Sequence, residues 1–120
     1  MENKAVLISD DSRSICALTA MVLAEDGYQV ICEASDGEQA VHECLKCQPD
    51  FTLLDVVVPV ADGRYALKNI AHYNPKAKII IPSSLDSKND VEECLRNGAS
   101  SHIQKPFEED VLLRVLDKMA

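Results

Sequence analysis

Residues 5 to 12 read Ala5-Val6-Leu7-Ile8-Ser9-Asp10-Asp11-Ser12. Four apolar residues in a row, with no polar alternation, make a short strand covered on both faces. The run stops at two carboxylates, and Ser12 is placed to cap a helix carrying Ile15, Leu18 and Val22 at helical spacing. A buried strand that runs through an acidic turn into an amphipathic helix is one half of a β-α-β unit. Strands buried on both faces belong to parallel sheets.

The same unit recurs outward from there. Asp26-Gly27 ends the first helix, and Tyr28 to Ala34 reads as a second strand. Ser35 with Glu38 fits a capping box for a helix that buries Val41, Cys44 and Leu45 and ends at Pro49. Phe51-Thr52-Leu53-Leu54 is a third strand, ending at Asp55. A loop from Val56 to Gly63 follows, with Pro59 and an Asp62-Gly63 turn. The third helix carries Ala66, Leu67, Ile70 and Ala71 and closes before Asn74-Pro75. Ile79-Ile80-Ile81 is the fourth strand. A helix from Ser87 to Asn97 turns Val91, Cys94 and Leu95 inward and stops at Gly98. Ser101 to Gln104 is the fifth strand, and the last helix uses Val111, Val115, Leu116 and Met119. Five β-α repeats in strict alternation predict an α/β fold, a five-stranded parallel sheet with helices on both faces.

Composition agrees. The 120 residues are 47% hydrophobic and 27% charged, ordinary for a globular chain and enough for one domain over residues 1–120. The formal net charge of −8 excludes a surface built to grip nucleic acid directly, and suits divalent cations or basic partner surfaces. No apolar run approaches the roughly 20 residues that span a bilayer, and Met1-Glu2-Asn3-Lys4 does not open a signal peptide. The expectation is a cytoplasmic protein without membrane insertion. Its five cysteines (16, 32, 44, 47 and 94) are then expected as reduced thiols. Cys44 and Cys47 are the close pair. With only His42 nearby and no second pair, they do not make a four-ligand zinc site, and both are expected on a helix with Cys44 buried.

Doubly wound sheets bind ligands at the carboxyl ends of their strands. Here those ends are Asp10-Asp11, Asp55, Ser83-Ser84 and Lys105. Two carboxylates about 4 Å apart repel by about 4 kcal/mol at an effective dielectric near 20, so three on one rim need a cation. Taken singly, Asp10 and Asp11 read as helix caps, Asp55 as a loop carboxylate and Lys105 as a surface lysine. Taken jointly, they are the donor set for Mg²⁺, which takes few protein oxygens and meets phosphoryl groups at its other positions. One carboxylate in such a site can attack phosphorus and form an aspartyl phosphate.

These residues resemble the receiver domain of bacterial two-component response regulators. The likeness rests on Val6 to Ser12, Glu33 to Val41, Pro49-Asp50 through Asp55, Pro59, Asp62-Gly63, Gly98-Ala99 and Lys105-Pro106-Phe107, and spans the chain. In size the chain is similar to the family's stand-alone chemotaxis regulators. The resemblance implies a flavodoxin-like doubly wound (βα)5 fold with strand order 2-1-3-4-5. It implies that a histidine kinase transfers a phosphoryl group to Asp55. Asp11, Asp55 and the backbone carbonyl of Val57 would ligate Mg²⁺, with Asp10 acting mainly through water. Lys105 would hold the phosphoryl group, its bond to Pro106 being cis. Ser83 and His102 would form the switch. An effector protein would read the face of the fourth helix, fifth strand and fifth helix, and an auxiliary phosphatase would reset the signal.

The departures from the family pattern are also specific. Val58 replaces the usual methionine, Pro82 precedes Ser83, and His102 stands where Tyr or Phe is usual. Pro82 puts Ser84 in competition for the hydroxyl role. Val57 and Leu85 occupy two often-polar positions flanking the phosphoryl pocket. An aspartyl-phosphate hydrolase would need a second Asp two residues after the nucleophile, where Val57 stands. A phosphate-independent interaction module on the same scaffold is the alternative; retention of Asp10, Asp11, Asp55 and Lys105 argues against it.

Overall fold

In the computed structural model, residues 4–10, 12–54, 60–76, 78–83, 88–104 and 108–119 are described, with side chains at all of these except 60–64, 83 and 88–90. Asp11, Asp55, Val57, Val58, Ser84, Leu85 and Lys105 lie outside them. The elements run β1 (Ala5–Ser9), α1 (Arg13–Glu25), β2 (Gln29–Ala34), α2 (Gly37–Cys47), β3 (Phe51–Leu54), α3 (Val60–Tyr73), β4 (Lys78–Ser83), α4 (Lys88–Arg96), β5 (Ser101–Gln104) and α5 (Glu109–Met119). All strand pairs are parallel, in the order β2-β1-β3-β4-β5.

Strand alternation divides the core in two. Leu7, Leu54, Ile79 and Ile81 face one side and pack with Ala40, Val41 and Cys44 of α2, Leu67 and Ile70 of α3, and Cys94 of α4. Val6, Ile8, Phe51, Leu53, Ile80 and Ile103 face the other and pack with Cys16 and Leu23 of α1 and Leu112 and Leu116 of α5. Successive strand residues point to opposite faces, so an unbroken apolar run supplies both layers.

Edge strand β2 is irregular. Val6 pairs with Val30, but Leu7 pairs with Cys32, so Ile31 is an extra residue on β2. Such a bulge inverts the facing of the residues beyond it. Val30 packs toward the α1/α5 side, whereas Cys32 and Ala34 join the α2/α3/α4 side.

Helix facing departs from the expected stripes. Ile15 and Leu18 are 41% and 63% exposed, and α1 buries Cys16 and Leu23 instead. Leu45, Leu95 and Val111 are likewise exposed, while Ala40 and Leu112 are buried. In α1 and α5 apolar residues cover more than one stripe, and contact with the sheet selects which is buried. The α2 cap is Asp36, not Ser35: its Oδ1 accepts from the Gln39 N–H at 2.8 Å. Gln39 Oε1 in turn accepts from Ser35 N–H and Oγ at 2.6 and 2.9 Å. Asp62-Gly63 lies inside α3 rather than in a preceding turn. One helical glycine costs only about 1 kcal/mol, which packing overrides.

The cysteines also differ from expectation. Cys47 is disulfide-bonded to Cys32 rather than standing as a reduced neighbour of Cys44. Cys16, Cys44 and Cys94 are buried and lie outside the disulfide. Burial pushes the Cys44 thiol upward, which suits a packing residue rather than a nucleophile.

Candidate functional site at the carboxyl edge of the sheet

Parallel register brings the strand ends to one edge: Ser9 lies opposite Ala34 and Leu54, and Ser83 opposite Gln104. The first residue past β1 is Asp10, only 9% exposed. Its N–H donates to the Ala34 carbonyl at 3.0 Å, which anchors it to the end of β2. Its Oδ1 accepts from Ser12 N–H at 2.9 Å, and its carbonyl accepts from Cys16 Sγ at 3.7 Å. Ser12 caps α1 as expected, with Oγ accepting from Ile15 N–H at 3.3 Å. The Asp10 carboxylate thus orders the turn from strand to helix while lining the rim.

That rim is a cleft of about 400 Å³ bounded by Asp10, Arg13, Cys16, Glu33, Ala34, Ser35 and Gln39. Two carboxylates face it against one guanidinium. The other polar side chains, Ser35 and Gln39, offer oxygen, so the donor set fits a hard cation. Glu33, Arg13 and Gln39 gain a place here that spacing alone does not reveal. They come from the end of β2 and the first turns of α1 and α2. The available signal was position: each follows or ends an element at the carboxyl edge.

A second, apolar space of about 20 Å³ lies behind Asp10, bounded by Ile8, Ser9, Ile15, Thr19, Leu53 and Pro82. Pro82 is the penultimate residue of β4 and pairs with Ile103. Ile79 turns its backbone groups toward Ser100, its N–H to Ser100 Oγ and its carbonyl to Ser100 N–H. By alternation, residue 82 turns its own toward β3. Among the described residues the β3–β4 pairs end at Leu53 and Ile80, so the N–H that proline lacks falls past them, a position where proline is tolerated.

His102 lies on β5 opposite Ile81 and is half-buried. Burial lowers its pKa, which favours the neutral imidazole. Ser83 ends β4, and its side chain is outside the described ones.

Among the described residues, one group of three ligand-type side chains could hold a metal, and it lies elsewhere, at Cys32, Glu43 and Cys47. No helix among the described residues is long and apolar enough to cross a membrane.

Comparison with known proteins accords with this geometry. Residues 6–117 match the model of the response regulator receiver domain. The chain is 35% identical over 114 residues to protein CcdB of Bacillus subtilis, covering 95% of each chain. It is 33% identical over 113 residues to the chemotaxis protein CheY of the same organism, covering 94% of each. Among solved structures, it resembles the CheX-CheY-BeF3-Mg complex from Borrelia burgdorferi, with TM-score 0.87, 33% identity, and 97% and 89% of the two chains covered.

Proposed function

The chain belongs to the response regulator receiver domain family, a family of signalling phosphoacceptors, and from that premise we propose that it is a switch phosphorylated at Asp55. The observation that carries the proposal is the carboxyl-edge rim. There β1 delivers the buried Asp10 to an oxygen-lined cleft, and β3 ends one residue before Asp55 in the sequence.

In this reading a histidine kinase presents a phosphohistidine. A carboxylate oxygen of Asp55 attacks phosphorus in line, a P–O bond forms, and the P–N bond to the imidazole breaks. Asp11, Asp55 and the Val57 carbonyl hold Mg²⁺, with Asp10 acting mainly through water. The bound ion supplies charge neutralisation at the phosphoryl oxygens. Lys105 binds the phosphoryl group as a point charge, and Ser83 or Ser84 donates a hydroxyl to it. His102 follows the hydroxyl on switching, and the face of α4, β5 and α5 is read by an effector protein. The whole chain serves as one receiver domain acting in the cytoplasm, and an auxiliary phosphatase resets it.

The test is incubation with Mg²⁺ and acetyl phosphate followed by intact mass. The parent gains one phosphoryl group and Asp55→Asn gains none. Equal labelling of the variant would remove Asp55 from the role. An unlabelled parent, with its fold confirmed by circular dichroism, would favour the phosphate-independent interaction module.

A further inference from the structure

The group at Cys32, Glu43 and Cys47 is remote in character from the oxygen-lined rim: it offers two sulfurs and one carboxylate. We propose that in the reduced chain these three residues form a binding site for a soft divalent cation of the zinc class, and that the Cys32–Cys47 disulfide is the closed state of that site.

Three features of the fold build it. The extra residue Ile31 on edge strand β2 turns Cys32 toward the α2 side of the sheet. Glu43 and Cys47 stand four residues apart in the last turns of α2, on one helical face. Their donor atoms and the Cys32 sulfur all lie within 4.8 Å of one another, and Cys47 Sγ is 3.8 Å from Glu43 Oε2. Cys32 is buried while Glu43 and Cys47 are half-buried, so a fixed ligand sits beneath two that solvent can reach.

The spacing suits two thiolates on one ion. The Cα atoms of Cys32 and Cys47 are 7.0 Å apart, just past the roughly 4.4–6.8 Å usual for a disulfide. Two sulfurs bound tetrahedrally to one zinc at about 2.3 Å each lie about 3.8 Å apart, so the backbone need not close up when the ion enters. Three protein donors leave a fourth position to solvent.

A divalent cation takes the two sulfurs as thiolates, and its binding releases the thiol protons. Thiolate ligands select zinc-class ions over magnesium, so this site and the rim do not compete for one ion. Opening balances as ordinary exchange. A dithiol reductant surrenders two electrons and two protons and becomes a disulfide, while the protein disulfide becomes two thiols.

The test uses the full chain, reduced with a dithiol, desalted without oxygen, and titrated with Co²⁺ as a spectroscopic probe and then with Zn²⁺. We expect one equivalent of Co²⁺ with sulfur-to-cobalt charge-transfer absorption, displaced by Zn²⁺ and not by Mg²⁺, and no such band in the oxidised chain. Cys47→Ser and Cys32→Ser abolish the band. They weaken Zn²⁺ binding by more than the roughly 10–100-fold that losing an outer partner costs. Glu43→Gln keeps the band and weakens binding at least about tenfold. If Cys32→Ser fails to fold, the half-buried Cys47→Ser decides. No band in the reduced parent, a full band in Cys47→Ser, or a band in the oxidised chain overturns the assignment.

Discussion

Replacing Gly98 by alanine tests how β5 is seated on the sheet. Gly98 follows α4 with φ at +120°, a backbone region that L residues rarely adopt, at a cost of about 1–3 kcal/mol. A Cβ built there would lie 2.5 Å from the Ala71 Cβ of α3, where ordinary contact begins at 3.4 Å. Relieving that overlap requires α3 and the α4–β5 turn to separate, and overpacking of this kind costs about 1–3 kcal/mol. The stiffer unfolded chain returns about 0.4–1 kcal/mol. The expected net loss for Gly98→Ala is therefore about 3 kcal/mol, a large part of the roughly 5–15 kcal/mol that holds a domain folded. In urea, with a slope near 2 kcal/mol per M, the midpoint falls by about 1.5 M. Ala71→Gly in the same background removes the clash but not the strained φ. The double variant should then be about 1–3 kcal/mol more stable than the two separate losses predict. A loss for Gly98→Ala under about 0.5 kcal/mol, or additivity of the two changes within about 0.5 kcal/mol, would refute the contact argument.

Other outcomes are expected from the rim and the core. Millimolar Mg²⁺ should raise the melting temperature, since an ion bound only by the folded rim adds about 2.7 kcal/mol at a hundredfold excess over its dissociation constant. In EDTA, Asp11→Ala should melt above the parent because like-charge repulsion is relieved, and an unmoved midpoint in both experiments would count against the site. Tyr28 donates to Asp117 Oδ1 at 2.6 Å, and burial first, then that carboxylate, raises its pKa above the tyrosine norm. The raised pKa contributes stability that is present below about pH 10 and lost as pH rises further, so Tyr28→Phe should lose about 1–2 kcal/mol near neutrality and flatten the alkaline decline; an unchanged alkaline slope in chemical denaturation would sink this account. Phosphorylated parent should decay about tenfold more slowly than Val57→Asn or Leu85→Glu after donor removal, because apolar side chains cannot position the attacking water, and equal decay rates would dissociate these positions from the lifetime.

The sheet was legible because its signal is local. Runs such as Val6-Leu7-Ile8 and Ile79-Ile80-Ile81 carry no alternation, so they state that both faces are covered. Their spacing by amphipathic segments leaves only parallel crossovers. Asp10 was legible for the same reason: it is the residue at which a buried strand must stop. Helix facing was not in α1 and α5, because Ile15, Leu18 and Val111 satisfy helical periodicity as well as the residues that are buried in their place. Which stripe is buried depends on where the helix axis lies over the sheet, a relation between distant segments. The cleft joins Arg13, Glu33 and Gln39 to Asp10 from three elements, and no spacing rule links them. The Cys32–Cys47 pairing is the sharpest case. Alternation counted along β2 would leave Val30 and Cys32 on one face. One extra residue against β1 separates them, and that register is set by the pairing of two strands rather than by either strand's own residues.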